Sequence, residues 1–291
     1  MSERLRAAVL AVAAERDAAW GGRLRLLPDG ALNPRSRILA LPTLIAELYP
    51  PVDDARLGRA AFALCAFSDA IVACDDVIDY ASADPAVARR IPQIGIVFAE
   101  AYRIFAELFG DRPAFWDPLR RYYAEYVDAL AAEARIAADD AAWTACTLAD
   151  ALAIVRGKNG LVRLVDAAVA ALAEQPQHPG GETILLEWFA GEQMLDDLND
   201  WREDVRDRNV SVLLRAACAT RPDPAALEAI GLRLYGEGHI ARTLARAAVL
   251  VEGAREIAVA AGATAFAALI EQRRATIDER RERVDAVLAA L

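Results

Sequence analysis

Apolar residues recur at helical spacing along nearly the whole chain of 291 residues, in long segments rich in alanine and leucine. No stretch alternates apolar and polar residues with the period of two that a half-buried β-strand requires. Alanine and leucine are also among the strongest helix formers. The sequence therefore predicts an all-α protein.

Glycine, proline and asparagine interrupt this pattern and leave predicted helices of roughly 15 to 35 residues. None of the breaks is long enough to be a linker between domains, and no repeat of fixed length is present. We therefore predict one domain over residues 1–291, folded as a large helical bundle. The predicted breaks are Gly21 to Pro34, Tyr49 to Pro51, Ser82 to Pro85, Gly110 to Pro113, Gln175 to Gly181, Asn209, and Arg221 to Pro224.

Charge and composition exclude several classes of function. The chain has 33 lysine and arginine residues against 43 aspartate and glutamate residues, a formal net charge of −10, which disfavours a general nucleic-acid binder. Hydrophobic residues make up 56% of the chain, which favours a packed core over disorder. Four cysteines without a CxxC pair and only two histidines argue against a zinc site or a disulfide framework.

The amino-terminal segment gives an expectation about location. Charged residues are mixed with alanines in residues 1–20, so this segment lacks the apolar core of a secretory signal. No uninterrupted apolar run reaches the roughly 18 residues of a membrane-spanning helix. We therefore expect a cytoplasmic protein in a reducing compartment, without stable membrane insertion.

Two predicted helices are apolar nearly all round and then turn acidic. The first, over residues 60–74, carries a single charge, Asp69, and is followed at once by Asp75, Asp76 and Asp79. One helical turn separates Asp75 from Asp79, so their carboxylates share a face of the helix. The first helix therefore ends in an acid cluster.

The second such helix begins near Ile184 and continues into the segment LDDLNDWREDVRDRN, residues 195–209. On a helical wheel, four acids form a narrow stripe with Asn199 at its margin, opposite an apolar face. The four acids, called the acid stripe below, are Asp196, Asp200, Glu203 and Asp207, and the apolar face consists of Met194, Leu198, Trp201 and Val205.

Acid clusters beside buried helices need compensating positive charge, because neighbouring carboxylates disfavour each other's ionisation. Mg²⁺ prefers oxygen ligands and is commonly held by one or two carboxylates together with substrate phosphates. Two clusters that face an apolar hollow predict a ligand with a phosphorylated head and a hydrocarbon body, such as an isoprenoid diphosphate. A charged run by itself is usually a solvated face, so a non-catalytic helical protein that binds a metal or a partner stays as an alternative.

At these residues the chain resembles the class I isoprenoid synthases, which include trans-prenyltransferases, squalene/phytoene synthases and terpene cyclases. The segment Asp75–Asp79, DDVID, is similar to their DDxxD motif, and Gln193–Asp200 is similar to the second motif, QxxDDxxD, of the prenyltransferases. The resemblance implies a helical bundle of the class I terpenoid synthase type around a central apolar cavity.

The second motif also fits two other patterns of the superfamily. Through Asp196, Asp200, Glu203 and Asp204 it resembles the D-x-x-x-D-x-x-E-D pattern of squalene/phytoene synthases, and a third pattern, similar to the NSE triad of the cyclases, uses Asn199, Glu203 and Asp207. All three patterns imply a prenyl diphosphate substrate and Mg²⁺, with three ions in the superfamily. The implied metal ligands are Asp75, Asp76, Asp79, Asp196, Asp197, Asn199, Asp200, Glu203, Asp204 and Asp207.

Basic and apolar residues complete the site that the resemblance implies. Residues 156–160, RGKNG, resemble the KTG element whose lysine contacts diphosphate in prenyltransferases. The implied diphosphate contacts are Arg156, Lys158 and Arg208, since arginine and lysine both form charge-assisted hydrogen bonds with phosphate oxygens. We expect Phe67, Ile71, Val72, Trp188 and Phe189 to line the cavity, although each alone is more often ordinary core packing.

Two departures from the prenyltransferase pattern bear on the reaction. The segment Leu32–Arg37 has Pro34 near the place of the lysine of a GGKxxR-like element, and Arg89–Pro92 resembles the RRG element only loosely. A complete second diphosphate site is therefore not evident. We predict a Mg²⁺-dependent terpene cyclase that ionises one allylic diphosphate, with a prenyltransferase or a head-to-head synthase as the alternative and a homodimer as the candidate assembly. The predicted catalytic residues are Asp75, Asp76, Asp79, Asp196 and Asp200.

Overall fold

A computed structural model describes residues 3–21, 37–80 and 88–290 of the chain. Every regular element in these ranges is a helix, which confirms the predicted all-α class. Among the described residues, none of the helices combines the length and the apolar composition needed to cross a membrane.

The helices of the described residues follow one another in this order along the chain. They are α1 (Glu3–Ala19), α2 (Arg37–Ile45), α3 (Asp54–Tyr80), α4 (Ile91–Phe109), α5 (Pro113–Ala138), α6 (Asp140–Ala145), α7 (Leu148–Lys158), α8 (Leu164–Leu172), α9 (Gly181–Asp207), α10 (Val212–Ala217), α11 (Leu227–Gly236), α12 (His239–Ala260) and α13 (Thr264–Ala290). Short 3-10 turns occupy Ala46–Leu48, Asn159–Arg163 and Pro224–Ala226.

Most of the predicted breaks fall between these helices. The sequence pattern did not predict every helix boundary. The break at Gly21 to Pro34 lies mostly outside the described residues, and the break at Ser82 to Pro85 lies wholly outside them. A missed boundary separates α6 from α7, where Thr147 and Asp150 form a capping box. That motif is a known helix-start signal in sequence, so this boundary was open to prediction.

The described residues group into two compact units. Unit 1 comprises Met1–Pro118 and Leu164–His178, and unit 2 comprises Leu119–Arg163 and Pro179–Leu291. Each unit is thus assembled from two separate stretches of chain. The single domain predicted over residues 1–291 stays a prediction.

Helix α3 is the centre of unit 1, where it packs against α1, α2, α4 and α8. Its nearly continuous apolar surface explains this position, because only a helix surrounded by others can bury all of its faces. At Gly58 a Cβ atom would stand 2.6 Å from Cβ of Ala8, so the glycine permits the close approach of α1. Toward α4, the ring of Phe67 packs edge-on against Phe98 and Tyr102.

A buried acid ties together the two stretches of unit 1. The carboxylate of Asp166 is fully buried and accepts hydrogen bonds from the Tyr49 hydroxyl (2.6 Å) and from Nε2 of Gln177 (3.1 Å). The same hydroxyl accepts the backbone N–H of His178 (2.7 Å). These donors offset the cost of removing a carboxylate from water, and they hold the segment after α8 in place.

Helix α9 is the centre of unit 2, where it packs against α7, α10 and α12. Gly191 permits the close approach of α12, because a Cβ atom there would lie 2.7 Å from Cγ2 of Val251. On the side of α13, the buried Glu192 accepts two hydrogen bonds from Arg273 (2.5 and 2.6 Å) and one from Nε1 of Trp188 (3.2 Å). These contacts fix the middle of α9 and thereby the position of the acidic segment that follows it.

Candidate functional site

The first acid motif occupies the last two turns of α3. Residues 75–79 are helical throughout, so Asp75 and Asp79 lie one turn apart, as the sequence predicted. Asp75 and Asp76 are partly exposed. Oδ2 of Asp76 accepts a hydrogen bond from Nη1 of Arg90 (3.2 Å), at the start of α4. The structure therefore brings a guanidinium group to the first acid motif.

The predicted cavity residues of α3 lie in different surroundings. Phe67 is 3% exposed and its ring contacts those of α4, so in unit 1 it is a packed core residue. Ile71 is 9% exposed, whereas Val72 is 55% exposed. The exposed valine marks an open side of α3, one turn before the acids. The cavity role of these three residues stays a prediction.

The second acid motif divides between two sides of α9. All four residues of the acid stripe are exposed, and so is Asn199. Two further acids that the resemblance offered as metal ligands, Asp197 and Asp204, lie toward the packed side of the helix, where Met194, Trp201 and Val205 are buried. The amphipathic arrangement agrees with the helical wheel, but the consecutive pair Asp196 and Asp197 lies in two different environments.

Burial changes the ionisation of both inward acids. Desolvation raises the pKa of Asp197 to about 6, although hydrogen bonds from Gln193 and from the backbone of Val212 partly oppose the rise. Desolvation, followed by the charge of Asp197, raises the pKa of Asp204 to about 7. A carboxylate that is already engaged with N–H donors has less capacity for a metal ion. The metal-ligand role of Asp197 and Asp204 stays a prediction.

The predicted basic residues lie at the end of α7 and just after α9. Helix α7 ends at Lys158, and a 3-10 turn over Asn159–Arg163 follows it. Nη2 of Arg156 donates to both carboxylate oxygens of Glu187 (2.8 and 3.0 Å), and Nζ of Lys158 donates to Oε2 of Glu133 (2.7 Å). The exposed Arg208 ends α9. Diphosphate contact by the three cations stays a prediction.

The aromatic pair on α9 belongs largely to the core of unit 2. Trp188 is 1% exposed, and its ring contacts those of Phe189 and Phe266 edge-on. Phe189 is only partly buried. Their predicted role in lining a cavity therefore stays a prediction, with Phe189 the more accessible of the two.

Unit 2 also contains a cleft of about 720 Å³ between α5, α6 and α7, which sequence reasoning did not predict. Six alanines line it, together with larger apolar and charged side chains, and Arg156, Gly157 and the buried Cys146 are also among the lining residues. None of the acid-stripe residues lines it. Small side chains at helical spacing look the same in sequence whether they face a neighbouring helix or an open cleft, so no sequence signal could have found it.

The donor atoms of the two motifs suit magnesium that arrives with its substrate. Among the residues that the structure describes, no cluster of three or more histidine, cysteine, aspartate or glutamate side chains could hold a metal ion by itself. The acid stripe nevertheless presents exposed carboxylates. Because Mg²⁺ keeps several waters and takes substrate phosphates as ligands, one or two protein carboxylates are a sufficient contribution. The donor set thus fits a magnesium ion bound together with a diphosphate.

Comparison with known proteins identifies the fold. No protein-family model matches the chain, and a search of curated proteins finds no relative. Among solved structures, a geranylgeranyl pyrophosphate synthase from Lactobacillus brevis superposes with a TM-score of 0.72 at 15% identity, covering 92% of this chain and 95% of that one. The chain has the isoprenoid synthase fold. The fold expected from the two acid motifs is therefore confirmed.

Two further structures with this fold were solved with ligands. A polyprenyl synthase from Caulobacter crescentus, complexed with calcium and isoprenyl diphosphate, has a TM-score of 0.67 at 18% identity and covers 92% of this chain and 98% of that one. A geranylgeranyl pyrophosphate synthase from Corynebacterium glutamicum, complexed with isoprenyl diphosphate and magnesium, has a TM-score of 0.65 at 16% identity and covers 93% and 97% of the two chains.

The predicted terpene cyclase, a lyase, is wrong by this comparison. Most of the similar solved structures are geranylgeranyl, polyprenyl or decaprenyl synthases, which favours the prenyltransferase alternative. The prediction depended on two short segments that depart from the prenyltransferase pattern, and residues 32–36 of the upstream segment lie outside the described residues. Short segments are a weak guide to the reaction when the helical framework is shared, because loops vary more than the elements they connect.

Proposed function

We propose that the chain is a Mg²⁺-dependent trans-prenyltransferase that condenses an allylic prenyl diphosphate with isopentenyl diphosphate. One observation carries the proposal: the fold of the geranylgeranyl and polyprenyl synthases occurs here with an aspartate motif at the end of α3 and a second one on α9. A non-catalytic helical protein would have no need for both motifs on the two central helices.

The metal fits the donor set described above. The candidate ligands of magnesium are Asp75, Asp76 and Asp79 on α3 and the exposed acid stripe on α9. Magnesium bound with the substrate supplies positive charge that stabilises the departing diphosphate. The metal-bound complexes from C. crescentus and C. glutamicum support the use of a divalent ion. The number of ions, three in the superfamily, stays a prediction.

The chain's own cations would bind the diphosphate oxygens that the metal leaves open. Arg156 and Lys158 each have a carboxylate partner, Glu187 and Glu133, that holds the side chain in a defined position. Such preorganised charges lower the free energy of a developing diphosphate anion more than mobile ones do. Arg90 lies beside Asp76 and supports a binding place for a second diphosphate near the first motif.

A substrate panel tests the reaction. The purified chain is incubated with Mg²⁺ and geranyl, farnesyl or geranylgeranyl diphosphate, each with and without isopentenyl diphosphate, and the products are identified by mass spectrometry. We expect a longer prenyl diphosphate only when isopentenyl diphosphate is present, and none from the Asp75→Asn variant. A product that forms equally well without isopentenyl diphosphate would overturn the proposal.

Binding can be tested separately from turnover. A ligand that binds only the native state raises the unfolding temperature, and at 100 times its Kd it stabilises by about 2.7 kcal/mol. We expect magnesium and inorganic diphosphate to raise the unfolding temperature together and to do little singly. If the pair produces no shift, the chain has no site of the proposed kind. The cytoplasmic location and the homodimer stay predictions.

A further inference from the structure

The link between α9 and α10 is four residues long, Arg208–Ser211, and acids of the second motif hold it at both ends. At its start, the backbone carbonyl of Asp204 accepts the N–H of Arg208. At its end, Oδ2 of Asp197 accepts the N–H of Val212, the first residue of α10, at 2.9 Å. Without this acceptor the N–H would be one of the unsatisfied donors at a helix start. The carboxylate of Asp197 therefore closes the link onto α9.

The link sets the backbone of a candidate diphosphate ligand. Arg208 adopts the left-handed conformation (φ 63°, ψ 25°), which residues other than glycine take only where surrounding contacts hold them there. Its side chain is exposed and forms no hydrogen bond or ion pair with a described residue of unit 2. Arg208 also follows directly after Asp207, the last residue of the acid stripe. The backbone is thus held while the guanidinium group stays available for an anion.

Asp197 differs from the acids of the stripe in what its oxygens contact. It is 4% exposed, and its second oxygen, Oδ1, accepts a hydrogen bond from Nε2 of Gln193 at 3.3 Å. A metal ion would have to displace these donors and leave the N–H of Val212 unpaired in a buried place.

We propose that Asp197 is a positioning residue, not a metal ligand: it anchors the Arg208–Ser211 link and so sets where Arg208 meets a diphosphate bound at the acid stripe. The assignment rests on the proposed function, because it takes diphosphate as the ligand. The second aspartate motif then has two uses, with Asp196 and Asp200 facing outward to the ligand and Asp197 facing inward to the chain.

Hydrogen exchange on the protein without ligand tests the anchor. We expect Asp197→Ala to speed the exchange of amides 209–214 by about 10- to 100-fold, the range for a lost hydrogen bond to a charged group. Asp197→Asn keeps one oxygen acceptor and should restore part of the protection. The matched control is Glu192→Gln, which alters a buried acid of the same helix away from the link and should leave these amides unchanged. Unchanged exchange in Asp197→Ala would overturn the proposal.

Calorimetric titration of inorganic diphosphate in the presence of MgCl₂ tests the action through Arg208. We expect Asp197→Ala and Arg208→Ala each to weaken binding about tenfold, and the double variant to be no weaker than Arg208→Ala, because the two residues act as one unit. The magnesium concentration for half-maximal binding should be unchanged in Asp197→Asn and raised in Asp196→Asn. Additive losses, or an equal magnesium requirement in the two asparagine variants, would refute the assignment.

The hydrogen-exchange and titration experiments test this inference separately from the proposed reaction. Suppose that the wild-type chain does not elongate prenyl diphosphates, but the Asp197 variants change hydrogen exchange and diphosphate binding as expected. The proposed reaction is then wrong and the positioning role stands. If the chain elongates prenyl diphosphates while Asp197→Ala leaves both readouts unchanged, the reaction stands and the positioning role is wrong.

Discussion

The two central helices each keep a carboxyl oxygen from water, and the chain supplies the two carboxyls with different surroundings. In α3, Oδ2 of Asp69 is buried without a hydrogen-bond partner among the described residues of unit 1. In α9, Asp197 accepts hydrogen bonds from Gln193 and Val212. Burial nevertheless raises the pKa of each carboxyl to about 6. A similar pKa therefore arises from two different arrangements.

The difference teaches that a raised pKa does not tell whether substituting the acid stabilises or destabilises the fold. The shift measures what the charged form loses by leaving water. What the neighbours lose on substitution depends on their contacts, and a buried donor left without an acceptor is costly. Removing the charge of Asp69 should therefore stabilise the fold, whereas removing the carboxyl of Asp197 should destabilise it.

The largest expected effect is a loss of turnover on substitution of the exposed acids of both helices, without the change in stability expected for the buried acids. Asp75→Asn and Asp200→Asn should each lower turnover by roughly 10²- to 10³-fold, because a lost metal ligand removes several kcal/mol of transition-state stabilisation. The unfolding temperature should change little, since these side chains are partly or fully exposed. Steady-state turnover and thermal unfolding of the same preparations check both statements, and full activity in either variant would show that the site is elsewhere.

The next effect concerns the anchored acid of α9. Asp197→Ala should lower the free energy of unfolding by about 1–3 kcal/mol, because it leaves the buried N–H of Val212 without its acceptor. The control is Asp200→Ala on the exposed side of the same helix, which should stay within about 0.5 kcal/mol of the wild type. Urea unfolding measures both. Equal losses in the two variants would remove the contrast between the two sides of α9.

The unpartnered acid of α3 gives a smaller effect with a pH signature. The folded pKa of Asp69, about 6, exceeds the unfolded value of about 3.9, so its contribution to stability falls as pH rises between these values and is constant above them. Asp69→Asn removes this pH-dependent loss of stability. We expect a gain of order 1 kcal/mol at pH 8, after allowance for partial exposure, and almost none at pH 4. Urea unfolding at the two pH values measures it, and a gain of equal size at both would rule out the ionisation of Asp69 as the cause.

The smallest effect on stability is expected at the exposed pair of Arg90 and Asp76. Arg90→Ala should change the free energy of unfolding by no more than about 0.5 kcal/mol, because exposed ion pairs contribute little. Its KM for isopentenyl diphosphate should nevertheless rise several-fold if Arg90 serves the second diphosphate. The control is Arg112→Ala, an arginine whose exposed ion pair is formed with Glu174 and not with an acid of the first motif. An unchanged KM would show that Arg90 does not bind isopentenyl diphosphate.

Part of the site could be predicted from single residues. The helical period placed Asp75 and Asp79 on one face and separated the acid stripe from Met194 and Trp201, because both inferences need only helix geometry. The role of Asp197 could not be predicted in this way. Its main partner, the N–H of Val212, lies fifteen residues later and reaches it only after the chain turns back at Arg208.

By itself, the sequence determined the all-α class, the acidic ends of the two central helices and, through the resemblance of its motifs, the isoprenoid synthase fold, since helical period and motif spacing are local properties. It did not determine the reaction, and it did not distinguish Asp196 from Asp197, which are neighbours with the same side chain. Only the tertiary structure separated these two acids. Successive residues of a helix point in directions 100° apart, so packing buried one carboxylate against α10 and left the other exposed.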